Sequence, residues 1–115
     1  PQPTELRFRR IANHVNRMLR QSLDAFARQN VEQAVKVVLS DDDIDDDYNS
    51  AMKELQQAMR AHPDHIEYLM EQVWALRSLE RIGDHASSIA EQVVYLARGV
   101  DIRHADNEGL RNLIN

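Results

Sequence analysis

The sequence contains no cysteine, and glycine and proline each occur only three times among its 115 residues. Without cysteine, disulfides and thiolate zinc sites are excluded, which also fits a cytoplasmic protein. No apolar run approaches the 18 residues that a membrane-spanning helix needs, and the first residues lack the apolar stretch of a signal peptide. Aromatic residues make up 5% of the chain and its net charge is −5, so we expect no nucleic-acid binding.

Apolar residues recur at alternating spacings of three and four along most of the chain, which is typical of amphipathic helices. The pattern predicts three helices, at about residues 5–28, 31–60 and 64–98. Short turns separate them at Gln29-Asn30 and His62-Pro63. Because short turns join antiparallel neighbours, we expect an all-α fold, an up-down-up antiparallel three-helix bundle.

The two ends of the chain lie outside this pattern. The start Pro1-Gln2-Pro3 lacks a methionine, so we expect residues 1–4 to be the remnant of a linker and residues 5–99 to form the bundle. Residues 100–115 show only a weak apolar cluster, which predicts a C-terminal tail that is frayed or holds a short extra helix.

Four carboxylates interrupt the apolar stripes of the second and third helices. Asp41 and Asp45 occupy stripe positions on the second helix, Glu80 occupies one on the third, and Asp84 follows one turn later. Both pairs lie equally far along the chain from the turn between these helices, so an antiparallel hairpin places them at the same height. Because a buried unpaired carboxylate costs several kcal/mol, this arrangement predicts a cation held by the four side chains.

All-oxygen coordination favours Mg, Mn, Ca or Fe over copper or structural zinc. Gly83, in the same stretch, indicates a close backbone approach or room for ions and water. Four histidines show no metal-ligand spacing, and they are His14, His62, His65 and His104. His85 follows Asp84 and could be a ligand, but its phase on the helix favours a surface histidine. The other aspartates of the run are expected to form a solvated face; they are Asp42, Asp43, Asp46 and Asp47.

Other interpretations of these residues remain open. Glu80 can instead pair with Arg77 or Arg81, which would leave a metal-free helical module for protein interaction. A carboxylate-bridged metalloenzyme is disfavoured, because no nucleophile, general base or substrate pocket is evident beside the acids. The basic first helix, with Arg7, Arg9 and Arg10 among its residues, can contact lipid headgroups, an acidic partner or only solvent.

Two stretches carry a family resemblance. Residues 79–86, Leu-Glu-Arg-Ile-Gly-Asp-His-Ala, closely resemble the signature stretch of the PhoU family, the regulators of phosphate-specific transport. The spacing of Asp41, Ile44, Asp45 and Tyr48 resembles the companion motif on the preceding helix, and Arg103-His104 resembles the family's closing residues. The resemblance covers about residues 5–104.

The resemblance implies a site and a role. PhoU proteins have tandem three-helix bundles whose Glu/Asp-x-x-x-Asp motifs bind metal, which here correspond to Asp41, Asp45, Glu80 and Asp84. The implied cofactor is a divalent or transition metal ion: Mg, Mn, Fe or Zn. The implied function is that of a non-enzymatic negative regulator of phosphate uptake and phosphate-starvation signalling, linking the ATPase of the phosphate ABC transporter to a sensor histidine kinase.

Further properties follow from the same resemblance. The full-length protein is expected to be a cytoplasmic homodimer that associates peripherally with the inner face of the membrane. Only one bundle is present here, so the sequence is expected to correspond to the C-terminal repeat of a two-repeat protein.

Overall fold

The computed structural model of the chain describes residues 3–99, 101–103 and 105–114, and within them it contains α-helices and 3₁₀ turns but no strand. A 3₁₀ turn, Asp41–Ile44, joins the second α-helix to the third, and another, Pro63–His65, precedes the fourth. The α-helices are α1 (Pro3–Arg28), α2 (Val31–Ser40), α3 (Asp45–Ala61), α4 (Ile66–Arg98) and α5 (Asn107–Asn112).

Helix α1 runs antiparallel to α2 and α3, as their side-chain contacts show. Residue numbers rise along α1 while those of its partners on α3 and α2 fall, in the contacts Arg7 to Glu54 at 2.8 Å, Arg10 to Asp47 at 2.9 Å and His14 to Ser40 at 2.8 Å. Helix α4 returns alongside both and packs most extensively against α1. The predicted all-α, up-down-up bundle is therefore confirmed, with α2 and α3 together forming its middle rod, in a molecule of 53 × 25 × 21 Å.

Short polar segments set the helix ends. The Asn30 side chain accepts a hydrogen bond from the Gln33 backbone N–H at 3.1 Å and caps α2, because the first backbone N–H groups of a helix lack partners within it. At the end of α4, Gly99 adopts a φ of 68° and its N–H donates to the Tyr95 carbonyl at 2.8 Å. A left-handed residue after a helix is the common glycine C-cap.

The apolar core divides into two clusters along the rod. The first cluster joins α1, α2 and α4 and includes Met18, Val35, Val37, Val93 and Val94. The second joins α1, α3 and α4 and includes Ile11, Val15, Leu55, Leu69 and Leu76. On α4 the clusters are separated by a stretch in which Gly83 is the one buried residue between Leu76 and Ala86. The core is therefore thinnest at the level of the 3₁₀ turn.

The prediction of one continuous helix over residues 31–60 is wrong. Helix α2 ends at Ser40, and Ile44 has φ −107° and ψ 2°, outside helical geometry. Aspartate is a poor helix former because its side chain competes for the backbone, and six aspartates within seven residues also repel one another. The backbone tightens here into 3₁₀ hydrogen bonds, such as that from the Asp45 N–H to the Asp42 carbonyl.

At the start of the chain the structure differs from the prediction, and at the end it contains the short extra helix that was one of the two expected alternatives. Helix α1 already includes Pro3 and Thr4, which were expected in a linker, while Pro1 and Gln2 lie outside the described residues. The tail contains α5, whose buried Leu110 joins the first core cluster. The packed unit thus extends beyond residue 99 because these apolar side chains cover the end of α2.

Candidate metal centre

The 3₁₀ turn brings the Asp41 carboxylate against the backbone of α4. A Cβ atom built on Gly83 would lie 3.6 Å from Asp41 Oδ1, an ordinary contact distance, so the carboxylate lies close to this part of α4. The expected close approach at Gly83 is therefore present. On the opposite side, His14 Nε2 donates a hydrogen bond to the Ser40 carbonyl at 2.8 Å. This carbonyl lies where α2 ends, and the bond ties the turn to α1.

Asp41 lies at the centre of the acidic group. Burial raises its pKa to about 6, and the negative charges of Asp84, Asp45 and Asp42 add to that increase, while His14 partly opposes it. Like charges raise the pKa of a carboxylic acid because each makes ionisation of the next more costly. Asp41 and Asp84, from the middle rod and from α4, therefore share one electrostatic environment, as the matched heights predicted.

Asp45 is placed differently from the prediction. It is exposed, and its stripe position is taken by the partly buried Ile44, which packs against the second core cluster. Four residues wound at three per turn rotate the chain about 80° further than four α-helical residues do, which turns Asp45 outward. Its pKa is still raised, first by desolvation and then by Asp42, Asp46 and Asp84.

Glu80 and Asp84 are exposed as well, so the expectation that these side chains are buried is wrong. Glu80 lies beside Tyr48, a partly buried residue of α3. Burial is the main cause of the raised pKa of Tyr48, followed by the Glu80 charge, while Arg77 lowers it and a hydrogen bond to Glu80 and the Asp84 charge raise it further. Glu80 therefore raises the pKa of Tyr48, whereas the charges that raise the pKa of Asp41 come from other acids.

Within the described residues, no lysine or arginine forms a salt bridge with Asp41, Asp45, Glu80 or Asp84. Asp47, only a few residues away, does form salt bridges with arginines. Its Oδ1 lies 2.9 Å from Arg10 Nη2 and 3.6 Å from Arg7 Nη1.

The pairing of Asp47 corrects two expectations. Asp47 does not belong to a solvated face, since arginines from α1 cover it. Arg7 and Arg10 contact acids of their own chain rather than only solvent; Arg7 also bonds Glu54 at 2.8 Å. The sequence carried a signal for these contacts, because Arg10 and Asp47, like Arg7 and Glu54, lie at similar distances along the chain from the turn between the rods.

The donor type and charge of the four acids fit a hard divalent cation. All ligands would be carboxylate oxygens, and in the described residues no lysine or arginine forms a salt bridge with them. In the described part of the chain, however, no three of these acids place their oxygens within 4.8 Å of one another. The three exposed side chains would have to move inward toward Asp41, or more than one ion would have to be shared. Metal binding at these residues stays a prediction.

A different group of three residues does bring its ligand atoms within that distance of one another, and the sequence analysis missed this group. His62, Asp64 and His65, all exposed, place one ligand atom each within 4.8 Å of the others at the turn between α3 and α4. The spacing of two histidines around Pro63 and Asp64 was the available signal.

None of the helices in the described residues combines the length and apolar character required to span a bilayer. Helix α4, the longest at 33 residues, carries charged side chains along its length.

The comparisons with known proteins agree on one family. The family model described as "PhoU domain" matches residues 8–93. The phosphate-specific transport system accessory protein PhoU homolog of Pseudomonas aeruginosa is 47% identical over 96 residues, covering 84% of this chain and 40% of that protein. The phosphate-specific transport system accessory protein PhoU of Escherichia coli strain K12 is 31% identical over 113 residues, covering 98% of this chain and 47% of that protein.

A solved structure agrees with these sequences. The crystal structure of PhoU from Pseudomonas aeruginosa superposes with a TM-score of 0.76 at 46% sequence identity, over 80% of this chain and 44% of that one. The chain thus spans less than half the length of these relatives.

Proposed function

This chain belongs to the PhoU family, and from that premise we propose that it forms part of an accessory regulator of a phosphate-specific transport system. The relatives from Pseudomonas aeruginosa and Escherichia coli are named phosphate-specific transport system accessory proteins. The proposed role is non-enzymatic: the bundle offers a binding surface, and the relatives are named as accessory proteins of a transport system.

The observation that carries the proposal is a group of acids, at the level between the two core clusters, with which no lysine or arginine of the described residues forms a salt bridge. Asp41 lies against Gly83, with its pKa raised by burial and by neighbouring carboxylates. A protein gains no stability from such an arrangement in the absence of a cation. We propose that Asp41, Asp45, Glu80 and Asp84 hold a divalent or transition metal ion.

A cation there would neutralise the repulsion between the middle rod and α4. Asp41 is the fixed member of the set, because the 3₁₀ turn is bonded to α1 through His14 and lies against Gly83. Asp45, Glu80 and Asp84 are exposed and free to reorient toward it. With the ion bound, the outer surfaces of α3 and α4 would therefore be fixed in one arrangement, to which a partner could bind.

The partners we propose are the ATPase of the phosphate ABC transporter and a sensor histidine kinase, whose signalling the full-length protein would restrain when phosphate is plentiful. We propose accordingly that the full-length protein is a cytoplasmic homodimer at the periphery of the inner membrane face. The chain would supply one bundle, the C-terminal repeat, of that protein.

Metal content and partner binding, measured on matched variants, test this proposal. The chain is purified without chelator, and bound metal is measured for wild type and for the double variant Asp41→Asn, Asp84→Asn. The control is Asp43→Asn, Asp46→Asn, which removes the same charge from exposed positions of the same run. We expect the first variant to lose metal and the control to retain it.

The same proteins are then used to capture purified transporter ATPase and the cytoplasmic part of the kinase, with Mn²⁺ or with EDTA. Capture that depends on metal and fails in the first variant supports the regulator. Equal metal content in all three proteins would contradict the assignment of the site, and metal-independent capture would favour an interaction module without metal.

A further inference from the structure

The turn between α3 and α4 gathers two imidazoles and a carboxylate on one exposed surface. The rings of His62 and His65 are stacked, with centroids 5.4 Å apart and planes inclined by 18°. Asp64 Oδ2 lies 3.5 Å from His65 Nε2. One ligand atom from each residue lies within 4.8 Å of the other two. The three side chains are thus nearly convergent without a change of backbone.

The backbone of this turn is fixed by local hydrogen bonds. The His62 N–H donates to the Ala58 carbonyl at 2.8 Å, and the His65 N–H donates to the His62 carbonyl at 3.0 Å. Pro63, at the first position of the 3₁₀ turn, restricts φ between the two histidines. Because both histidine backbones are anchored, closing the ligand atoms requires side-chain rotation alone.

The donor set selects a particular class of ion. Two imidazole nitrogens and one carboxylate oxygen suit Ni²⁺, Cu²⁺ and Zn²⁺, whereas Mg²⁺ and Ca²⁺ prefer ligand sets made only of oxygen. Metal–nitrogen bonds of about 2.0–2.1 Å bring neighbouring ligand atoms to about 3 Å from one another, so the present separations need to close by less than 2 Å. The solvent side of the turn leaves room for water ligands.

We propose that His62, Asp64 and His65 form a second metal site on this chain, which binds a late first-row divalent transition metal ion. The site is separate from the acidic group: residues 65 and 82 of the chain are roughly 25 Å apart along the axis of α4. Its ligands come from both sides of Pro63, so a bound ion cross-links the end of α3 to the start of α4. The site stands on its own geometry, whatever the outcome for Asp41 and its neighbours.

Ni²⁺ titration of the intact chain tests the site directly. In NMR spectra of the imidazole groups, paramagnetic Ni²⁺ is expected to broaden the His62 and His65 signals before those of His14 and His85. By calorimetry, His62→Gln and His65→Gln should each weaken Ni²⁺ binding by about tenfold or more, since even the loss of an outer-shell partner has effects of that order. The matched control is His85→Gln, another exposed histidine on α4, which should change the affinity by less than about twofold.

A second measurement separates this site from the acidic group. Ni²⁺ should still raise the thermal midpoint of Asp41→Asn, Asp84→Asn, because an ion that binds only the folded turn stabilises it by mass action. The His62→Gln variant should lose that increase while keeping the midpoint of the metal-free protein, since the side chain is exposed. Ni²⁺ affinity that is unaffected by either histidine substitution, or early broadening of His85 instead, would overturn the proposal.

Discussion

Replacing Asp41 by asparagine is expected to stabilise the metal-free chain at neutral pH. The pKa of Asp41 in the folded chain is about 6, above the 3.8 of an unperturbed aspartate. The folded chain therefore holds this proton more tightly than the unfolded chain does. The contribution of the protonated group to stability is fully present below about pH 4 and is lost as the pH rises through about 6. Asparagine keeps the shape of the protonated side chain and removes the charge.

The size of the effect follows from the pKa difference. A rise from 3.8 to about 6 corresponds to about 3 kcal/mol between the two protonation states. Asp41 is only partly buried, and solvent screening reduces such a charge effect, so we expect about 1–2 kcal/mol at pH 7.5. For comparison, a substitution of an ordinary surface side chain changes the free energy of unfolding by less than about 0.5 kcal/mol.

Urea denaturation in EDTA at several pH values measures this difference. Asp41→Asn should exceed wild type in free energy of unfolding at pH 7.5, and the difference should shrink toward zero near pH 4. Asp43→Asn, an exposed neighbour in the same turn, serves as the control and should show no comparable pH dependence. An Asp41→Asn chain that is less stable than wild type at pH 7.5 would refute the reasoning.

Three further changes give predictions of distinct sign. Gly83→Ala should stabilise α4 by up to about 1 kcal/mol, because the added methyl group lies at an ordinary contact distance of 3.6 Å from Asp41 Oδ1 and alanine is the better helix former; thermal unfolding measures it, and a loss of stability would show that the contact tolerates no methyl group. Arg7→Gln should cost about 1 kcal/mol or less, because it breaks the 2.8 Å salt bridge to Glu54 at the protein surface; the loss should fade as salt is raised in urea titrations, and a salt-independent loss would contradict the ionic origin. Leu76→Ala should cost about 2–5 kcal/mol, because the side chain is fully buried in the second core cluster; a smaller loss in chemical denaturation would mean that the cavity collapses.

The helices with regular apolar spacing could be predicted from the sequence. The stripe of the first helix contains Ile11, Val15, Met18, Ser22 and Ala25, all of which are buried. These positions repeat every three or four residues without a competing signal, so periodicity alone gave both the helix and its buried face.

The 3₁₀ turn could not be predicted from periodicity, because the apolar spacing continues across it. The helix breaks for local reasons, namely the low helix propensity and mutual repulsion of the aspartates. The extra rotation then replaces Asp45 by Ile44 on the inner face. A buried face that is assigned with a fixed angle per residue is wrong after any such turn. For this reason the exposure of Asp45 was missed.

Contacts between distant side chains required the packed structure. Asp47 contacts two arginines of α1, and the pattern of one helix alone does not specify such a pairing. Trp74, although large and apolar, is 63% exposed, because its position on α4 faces away from both core clusters. The direction in which a side chain points depends on which neighbours surround the helix, and the sequence pattern of one helix does not contain that information.

The acidic group and the break in the core have one physical consequence in common. Where few apolar side chains are buried, fewer contacts hold the middle rod to α4. The repulsion from a charge at that level is then opposed by little packing free energy. Asp41 lies on the turn that joins α2 to α3 and touches the α4 backbone at Gly83. Protonation, a cation or an asparagine at this position would each remove the same repulsion. If all three stabilise the chain, and if adding Mn²⁺ to Asp41→Asn stabilises it far less than adding Mn²⁺ to wild type, the junction responds to charge rather than to a particular ligand.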